Sequence, residues 1–259
     1  MPELPDVAGF RSLLAAHATG QLIERVDVAD AGVLRGITAR QLQDSLRGSR
    51  FERPERHGKW LIARTDGPAI LLHFGMTGSL QWLDSGAPLD RYDRVIFVTS
   101  AGELRYRDMR KLQGITLAHD RREEDGVLAG LGPDALGVTA GQFDDALQGR
   151  RGAIKATLMN QKIIAGLGNL LADEILWRAC INPRRPASSL TAPERRELYG
   201  QMRRVLRASV RAGCVPSRPS WLTGARQQRH PTCPRCHATL CRGRIGGRTT
   251  MWCPRHQGR

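Results

Sequence analysis

Val7, Phe10, Leu13 and Leu14 fall on one stripe at helical spacing, with Pro5 and Asp6 suited to a first turn and Gly20 ending the pattern. The rhythm then changes. QLIERVDVAD alternates like a strand, KWLIART (59–65) and AILLHF (69–74) flank the turn Asp66-Gly67-Pro68, and RVIFVT (94–99) and ELRY (103–106) flank a loop holding Gly102. From Gln21 to about Leu117 the pattern predicts mainly antiparallel strands, and a sandwich or barrel is the way to bury so many short apolar runs.

Helical periodicity takes over in the second half. AHDRREED (118–125) is a charged connector, after which residues 153–164 set Ile154, Leu158, Met159 and Ile163 on one side. Ala165-Gly166-Leu167-Gly168 interrupts this, and residues 169–179 resume it with Leu171, Ile175 and Trp177 as core. Thr191 to Glu194 is a capping-box pattern opening a long helix with Leu198, Val205, Leu206 and Val210 facing inward and Gly213 at its end. Residues 215–231 read as a polar loop with few apolar anchors, mobile when no ligand is bound. The expected class is α+β in two domains, with an N-terminal helix and antiparallel β-sandwich followed by a helical domain. The boundaries expected are 1–120, a connector 121–132, a helical domain 133–225 and a terminal hairpin 226–259.

Composition narrows the partner. The chain has 259 residues, 40 Lys plus Arg against 25 Asp plus Glu, and a formal charge of +15, which points to a polyanion such as nucleic acid. No apolar run has signal-peptide character and none approaches the roughly 20 residues needed to span a bilayer, so a cytoplasmic protein is expected, nucleoid-associated if bacterial. Four of the six cysteines crowd the C-terminus. Cys233-Pro-Arg-Cys236 and Cys253-Pro-Arg-His256 form two knuckles that can converge on one tetrahedral Zn²⁺, with the intervening segment sized for a β-hairpin carrying Arg244 and Arg248. Cys241, His237 and His230 are rival ligands, but the spacing favours 233, 236, 253 and 256. Four protein ligands leave no open position, so the metal is structural, and a segment this poor in apolar residues needs it to fold.

MPELPDV, HGKWLIA, HFGMTGSL, KATLMNQKIIAGLGNLLADEILWRACINPRRP and the zinc hairpin, in this order, resemble the formamidopyrimidine-DNA glycosylase/endonuclease VIII family, with PELP closer to the formamidopyrimidine branch. The resemblance covers nearly the whole chain. It implies a β-sandwich joined to a helix-two-turn-helix domain and a zinc-finger hairpin. The implied activity is a bifunctional DNA glycosylase and abasic-site lyase of base excision repair that removes oxidised bases, with purines such as formamidopyrimidine or 8-oxoguanine favoured. The alternatives are an endonuclease VIII-like preference for oxidised pyrimidines and a non-catalytic protein that binds damaged DNA. Damaged duplex DNA is the implied partner, Zn²⁺ the only implied cofactor, and a monomer is expected.

The same resemblance assigns residues. Pro2, exposed after loss of Met1, is the implied nucleophile. An α-amino group titrates near 7.7–8, so part of it is neutral at physiological pH, and a secondary amine can form an iminium with C1′ that permits β- and then δ-elimination. Glu3 is the implied acid/base and Lys59 the catalytic-site lysine that contacts phosphate near the lesion. Asn169 and Arg248 are implied phosphate ligands. Met76, Arg110 and Leu112 are implied to fill the hole left by the extruded base. Departures from the family pattern are Leu112 for phenylalanine with Gln113 extra, Asn160 for aspartate, and no clear copy of the lesion-covering loop in 215–231.

Overall fold

A computed structural model describes residues 1–258, which divide into two compact units: Met1–Pro2 with Asp6–Ala129, and Glu3–Pro5 with the described residues from Gly130 onward. The first helix, α1 (Leu4–His17), buries Val7 and Leu14 completely, with Phe10 and Leu13 packed beside them, as the stripe predicts. Two four-stranded antiparallel sheets follow. One orders β1 (Arg25–Val28), β6 (Asp93–Thr99), β7 (Gly102–Arg107) and β5 (Ser79–Leu83). The other orders β2 (Glu55–His57), β3 (Trp60–Ala63), β4 (Ala69–His73) and β8 (Ile115–Ala118). Both predicted hairpins form, with Trp60 opposite His73 and Val98 opposite Glu103.

Val26, Phe97 and Tyr106 of one sheet and Leu61, Leu72 and Ile115 of the other belong to one buried cluster, which makes this unit a sandwich. The region expected to be mainly strand also contains a helix, α2 (Ala39–Leu46), opened by a Thr38–Gln41 capping box and burying Leu42 and Leu46. The charged segment beyond Ala118 is helical too. In α3 (Arg121–Leu128), Val127 and Leu128 pack over Ile62, Leu71 and Ala118, and buried Glu124 pairs with Arg64.

The second unit has a separate core. The helices α4 (Ala140–Leu147), α5 (Ile154–Met159), α6 (Asn169–Arg178) and α7 (Ala192–Ala212) bury Phe143, Leu158, Leu171, Ile175, Leu198 and Leu206 together with Leu4. The predicted capping box holds α7, whose Glu194 side chain accepts from Thr191 N at 2.8 Å, and Gly213 ends it in the left-handed conformation at φ 68°.

Residues 215–231 depart from the expectation of few apolar anchors. Trp221, Leu222 and Ala225 are buried, a short helix α8 (Leu222–Ala225) forms, and Leu222 N donates to the Glu174 carboxylate at 2.8 Å. Strands β9 (Cys241–Ile245) and β10 (Arg248–Trp252) pair through a two-residue turn at Gly246 and Gly247, whose φ values of 57° and 73° are those of a type I′ hairpin. No helix among the described residues is long and apolar enough to cross a membrane.

Candidate nucleic-acid interface and metal centre

Glu3 is the most constrained of the predicted catalytic residues. It is 1 % exposed, and its Oε1 and Oε2 accept from Leu170 N (2.8 Å) and Leu171 N (3.1 Å), the free donors of the first turn of α6. A carboxylate here satisfies two orphan N–H groups and complements the positive end of the helix dipole, an effect of about 1 kcal/mol. The two glycines of Gly166-Leu167-Gly168 make room for it. A Cβ on Gly168 would lie 2.2 Å from the Glu3 carboxyl carbon, and one on Gly166, whose φ is 111°, would lie 2.5 Å from Leu4 Cδ1. Leu4 N also donates to Gly166 O at 3.1 Å. Pro2, half-buried, is one peptide bond from this clamp.

Asn169 opens α6 beside Glu3's anchor, and its side-chain oxygen is buried with no hydrogen-bond partner among the described residues. A buried unpaired amide oxygen is uncommon in proteins; the amide N–H groups of the same side chain are the ones that can join the backbone donors favouring anions at a helix N-terminus.

In the first unit, Lys59 occupies the turn between β2 and β3. Its charge, after burial, depresses the imidazole of His73 to about 4. His73 is therefore neutral near pH 7, and its Nδ1 accepts from Gly75 N at 3.1 Å at the base of the turn carrying Met76. The structure brings Met76 and Arg110 together, with Arg110 Nη1 3.2 Å from Met76 Sδ. The two loops are stitched by Thr77, whose hydroxyl donates to Asp108 Oδ1 (2.6 Å) and accepts from Arg110 N (3.1 Å). Leu112 stands out from the same loop at 49 % exposure.

At the C-terminus Cys233, Cys236, Cys253 and His256 place one ligand atom each within 4.8 Å of one another. Cys241, His237 and His230 are not part of this group. The donor set fits a metal: three sulfurs and one imidazole suit a soft tetrahedral ion, and His256 Nε2 is buried without a hydrogen-bond partner among the described residues. Trp177 Nε1 donates to Cys233 Sγ at 3.4 Å, an outer contact that steadies a thiolate ligand. Above this cluster the hairpin ends in exposed Arg248.

One group escaped the sequence reading. Lys155 is fully buried and its Nζ meets Asp173 Oδ1 (2.6 Å) and Thr250 Oγ1 (2.8 Å), while Arg226 pairs with the same aspartate (2.5 Å) and donates to Thr249 O (2.7 Å). Burial pushes the Asp173 carboxyl up and the Lys155 ammonium down, and the ion pairing opposes both. This network ties the 215–231 segment and β10 to α5 and α6. The signal was present only as two charges, Lys155 and Asp173, on otherwise apolar helix faces.

The chain is similar to known proteins along nearly its whole length. Residues 1–115 match the model of the formamidopyrimidine-DNA glycosylase N-terminal domain, and residues 130–218 match that of its H2TH domain. A formamidopyrimidine-DNA glycosylase of Desulfitobacterium hafniense is 32% identical over 269 residues, covering 98% of this chain and 98% of the relative. A Lactococcus lactis Fpg mutant in complex with a Fapy-dG containing DNA superposes with a TM-score of 0.91 at 25% identity, covering 100% of both chains. The wild-type Lactococcus lactis Fpg with an oxidised pyrimidine containing DNA gives 0.90 at 25% identity, again over 100% of both chains.

Proposed function

This chain belongs to the formamidopyrimidine-DNA glycosylase family, and from that premise we propose that it excises oxidised bases from duplex DNA and then cleaves the abasic strand, with Pro2 as nucleophile. The protein is a DNA glycosylase of base excision repair. Removal of Met1 frees the Pro2 nitrogen to attack C1′ as the glycosidic bond breaks and the base departs with its electron pair. The Pro2 nitrogen gives up its proton, Glu3 protonates the ring oxygen O4′, and the C1′–O4′ bond breaks to leave an open-chain iminium. This draws electrons from C1′, a C2′ proton is lost, and the 3′ phosphate leaves by β-elimination, after which a further elimination releases the 5′ phosphate. Glu3 relays the protons.

The observation that carries this reading is Glu3 itself: a carboxylate one residue from the nucleophile is locked at the start of α6 by two backbone donors at 2.8 and 3.1 Å. Lys59, Asn169 and Arg248 hold phosphates, and Met76, Arg110 and Leu112 enter the space vacated by the base. Oxidised purines are the proposed substrates, in line with the Fapy-dG bound by the Lactococcus protein. Oxidised pyrimidines are the second reading, supported by the same protein's complex with such DNA. The Cys233, Cys236, Cys253 and His256 cluster would hold Zn²⁺, which supplies folding energy to the hairpin. The protein acts in the cytoplasm as a monomer.

Borohydride trapping on an abasic duplex, with mass mapping of the crosslinked peptide, tests the proposal. We expect the adduct on Pro2 at the mature N-terminus. An intact Met1 in purified native protein, or tight binding without adduct or strand scission, would replace the enzyme mechanism by non-catalytic damage binding.

A further inference from the structure

One guanidinium in the first unit holds the backbone on both sides of the exposed Leu112. Arg35 follows the 3-10 turn Ala31–Val33, and its main-chain N–H donates to Ile115 O at 2.9 Å, fastening it to the strand in which the loop ends. Its Nη2 donates to Lys111 O (2.8 Å) and Gln113 O (2.9 Å), the two carbonyls flanking Leu112. Nη1 donates to Gly32 O (3.0 Å) and Leu34 O (2.9 Å), so the fork is itself braced. Lys111 has φ 51°, a conformation an L residue keeps only when its surroundings hold it. The far end of the loop presses on the same segment, because a Cβ on Gly114 would lie 1.7 Å from Val33 O.

A half-exposed leucine with little packing takes its direction from its backbone. We propose that Arg35 is a positioning residue for base extrusion: it fixes the pose of Leu112 so that this aliphatic side chain enters the stack. The proposal rests on the reading of Leu112 as a wedge. It also accounts for how a loop with Gln113 as an added residue keeps one shape, since the guanidinium reaches four carbonyls from two nitrogens, more than the three donors of one ammonium can supply.

The test is a double-mutant cycle in the full-length protein with Arg35→Ala, Leu112→Ala and the pair. Single-turnover release of an oxidised purine from a duplex is compared with scission of a single-stranded abasic oligonucleotide, which has no stack to open. Arg35→Ala is expected to slow duplex excision roughly tenfold and to leave single-stranded scission within about twofold of wild type. Leu112→Ala should slow duplex excision similarly, the double variant no further, and Arg35→Lys should recover only part of the loss. Additive losses, an equal loss on the single strand, or a wild-type rate for either single variant would overturn the proposal. Should Arg35→Ala fail to fold, Arg35→Lys and Arg35→Gln carry the same cycle. Failure of the wild type on both substrates would instead remove the enzyme reading itself.

Discussion

The loop Asp108–Gly114 and the hairpin Cys241–Trp252 each carry an exposed side chain proposed to meet DNA, Leu112 in one and Arg248 in the other, yet they are built on opposite plans. The hairpin is shaped mainly by its own neighbours, a regular ladder from Cys241–Trp252 to Ile245–Arg248, a two-glycine turn and four candidate ligands within one short stretch of chain, with β10 also pinned by Lys155 and Arg226. The loop has no ladder. Its shape comes from distant donors and acceptors, with Arg94 Nε on Asp108 O at 2.7 Å, Lys111 Nζ on Asp30 Oδ2 at 2.9 Å, and the Arg35 fork. Local construction makes an element dependent on residues close in sequence, and distributed construction makes it dependent on long-range contacts such as the Arg35 fork.

Metal removal should separate the two most sharply. Chelation is expected to unfold the hairpin and lower affinity for an abasic duplex on the order of 100-fold, because the contacts it presents to phosphate go with it. Metal content and fluorescence polarisation measure this together, and unchanged affinity after complete removal of the ion would contradict it.

Acid should act next, and on the loop side. His73 titrates at about 4 in the folded state because burial disfavours its charged form and Lys59 adds to that. The unfolded chain takes up a proton near pH 6.5 that the folded chain refuses. The stabilisation is thus whole above pH 6.5 and is lost as the pH falls toward 4, by about 2–3 kcal/mol. His73→Asn keeps an acceptor for Gly75 N but does not titrate. Denaturant melts of the two proteins at matched pH should diverge over that window, while metal-linked losses cancel between them; parallel curves would count against it.

The smallest effect is expected from Arg248→Gln. One phosphate contact at the hairpin tip should cost about tenfold in affinity and reduce the slope of log affinity against log salt by about 1, without altering the preference among lesions. An unchanged slope would remove Arg248 from the phosphate contacts.

The same contrast explains what was legible in the sequence. Elements whose signals are local were read directly: the α1 stripe, the β3–β4 and β6–β7 hairpins, the Thr191 capping box, and the Cys and His spacing. The α2 helix carried a similar signal in Thr38 and Gln41, overlooked because strands surround it. Arg35 could not be found, since nothing in its neighbourhood refers to residues 76 and 78 positions away. Residues 215–231 were misread for a related reason. Their anchors, Glu174 for Leu222 and Asp173 for Arg226, sit on α6, a helix whose periodicity spoke only of its apolar side.

Glu3 carries a consequence for how the protein comes into being. Its carboxylate is placed by the N–H groups of Leu170 and Leu171, the latter 168 positions along the chain. On a ribosome adding roughly 5–20 residues per second, that gap is on the order of 10–30 s. During this interval the sandwich residues emerge, but Glu3, beside the proposed nucleophile, lacks these two donors. A nascent or truncated chain ending before α6 carries Pro2 without the α6 donors that orient the Glu3 carboxylate. The placing of Glu3 thus joins the chemistry proposed at Pro2 to completion of the helical half.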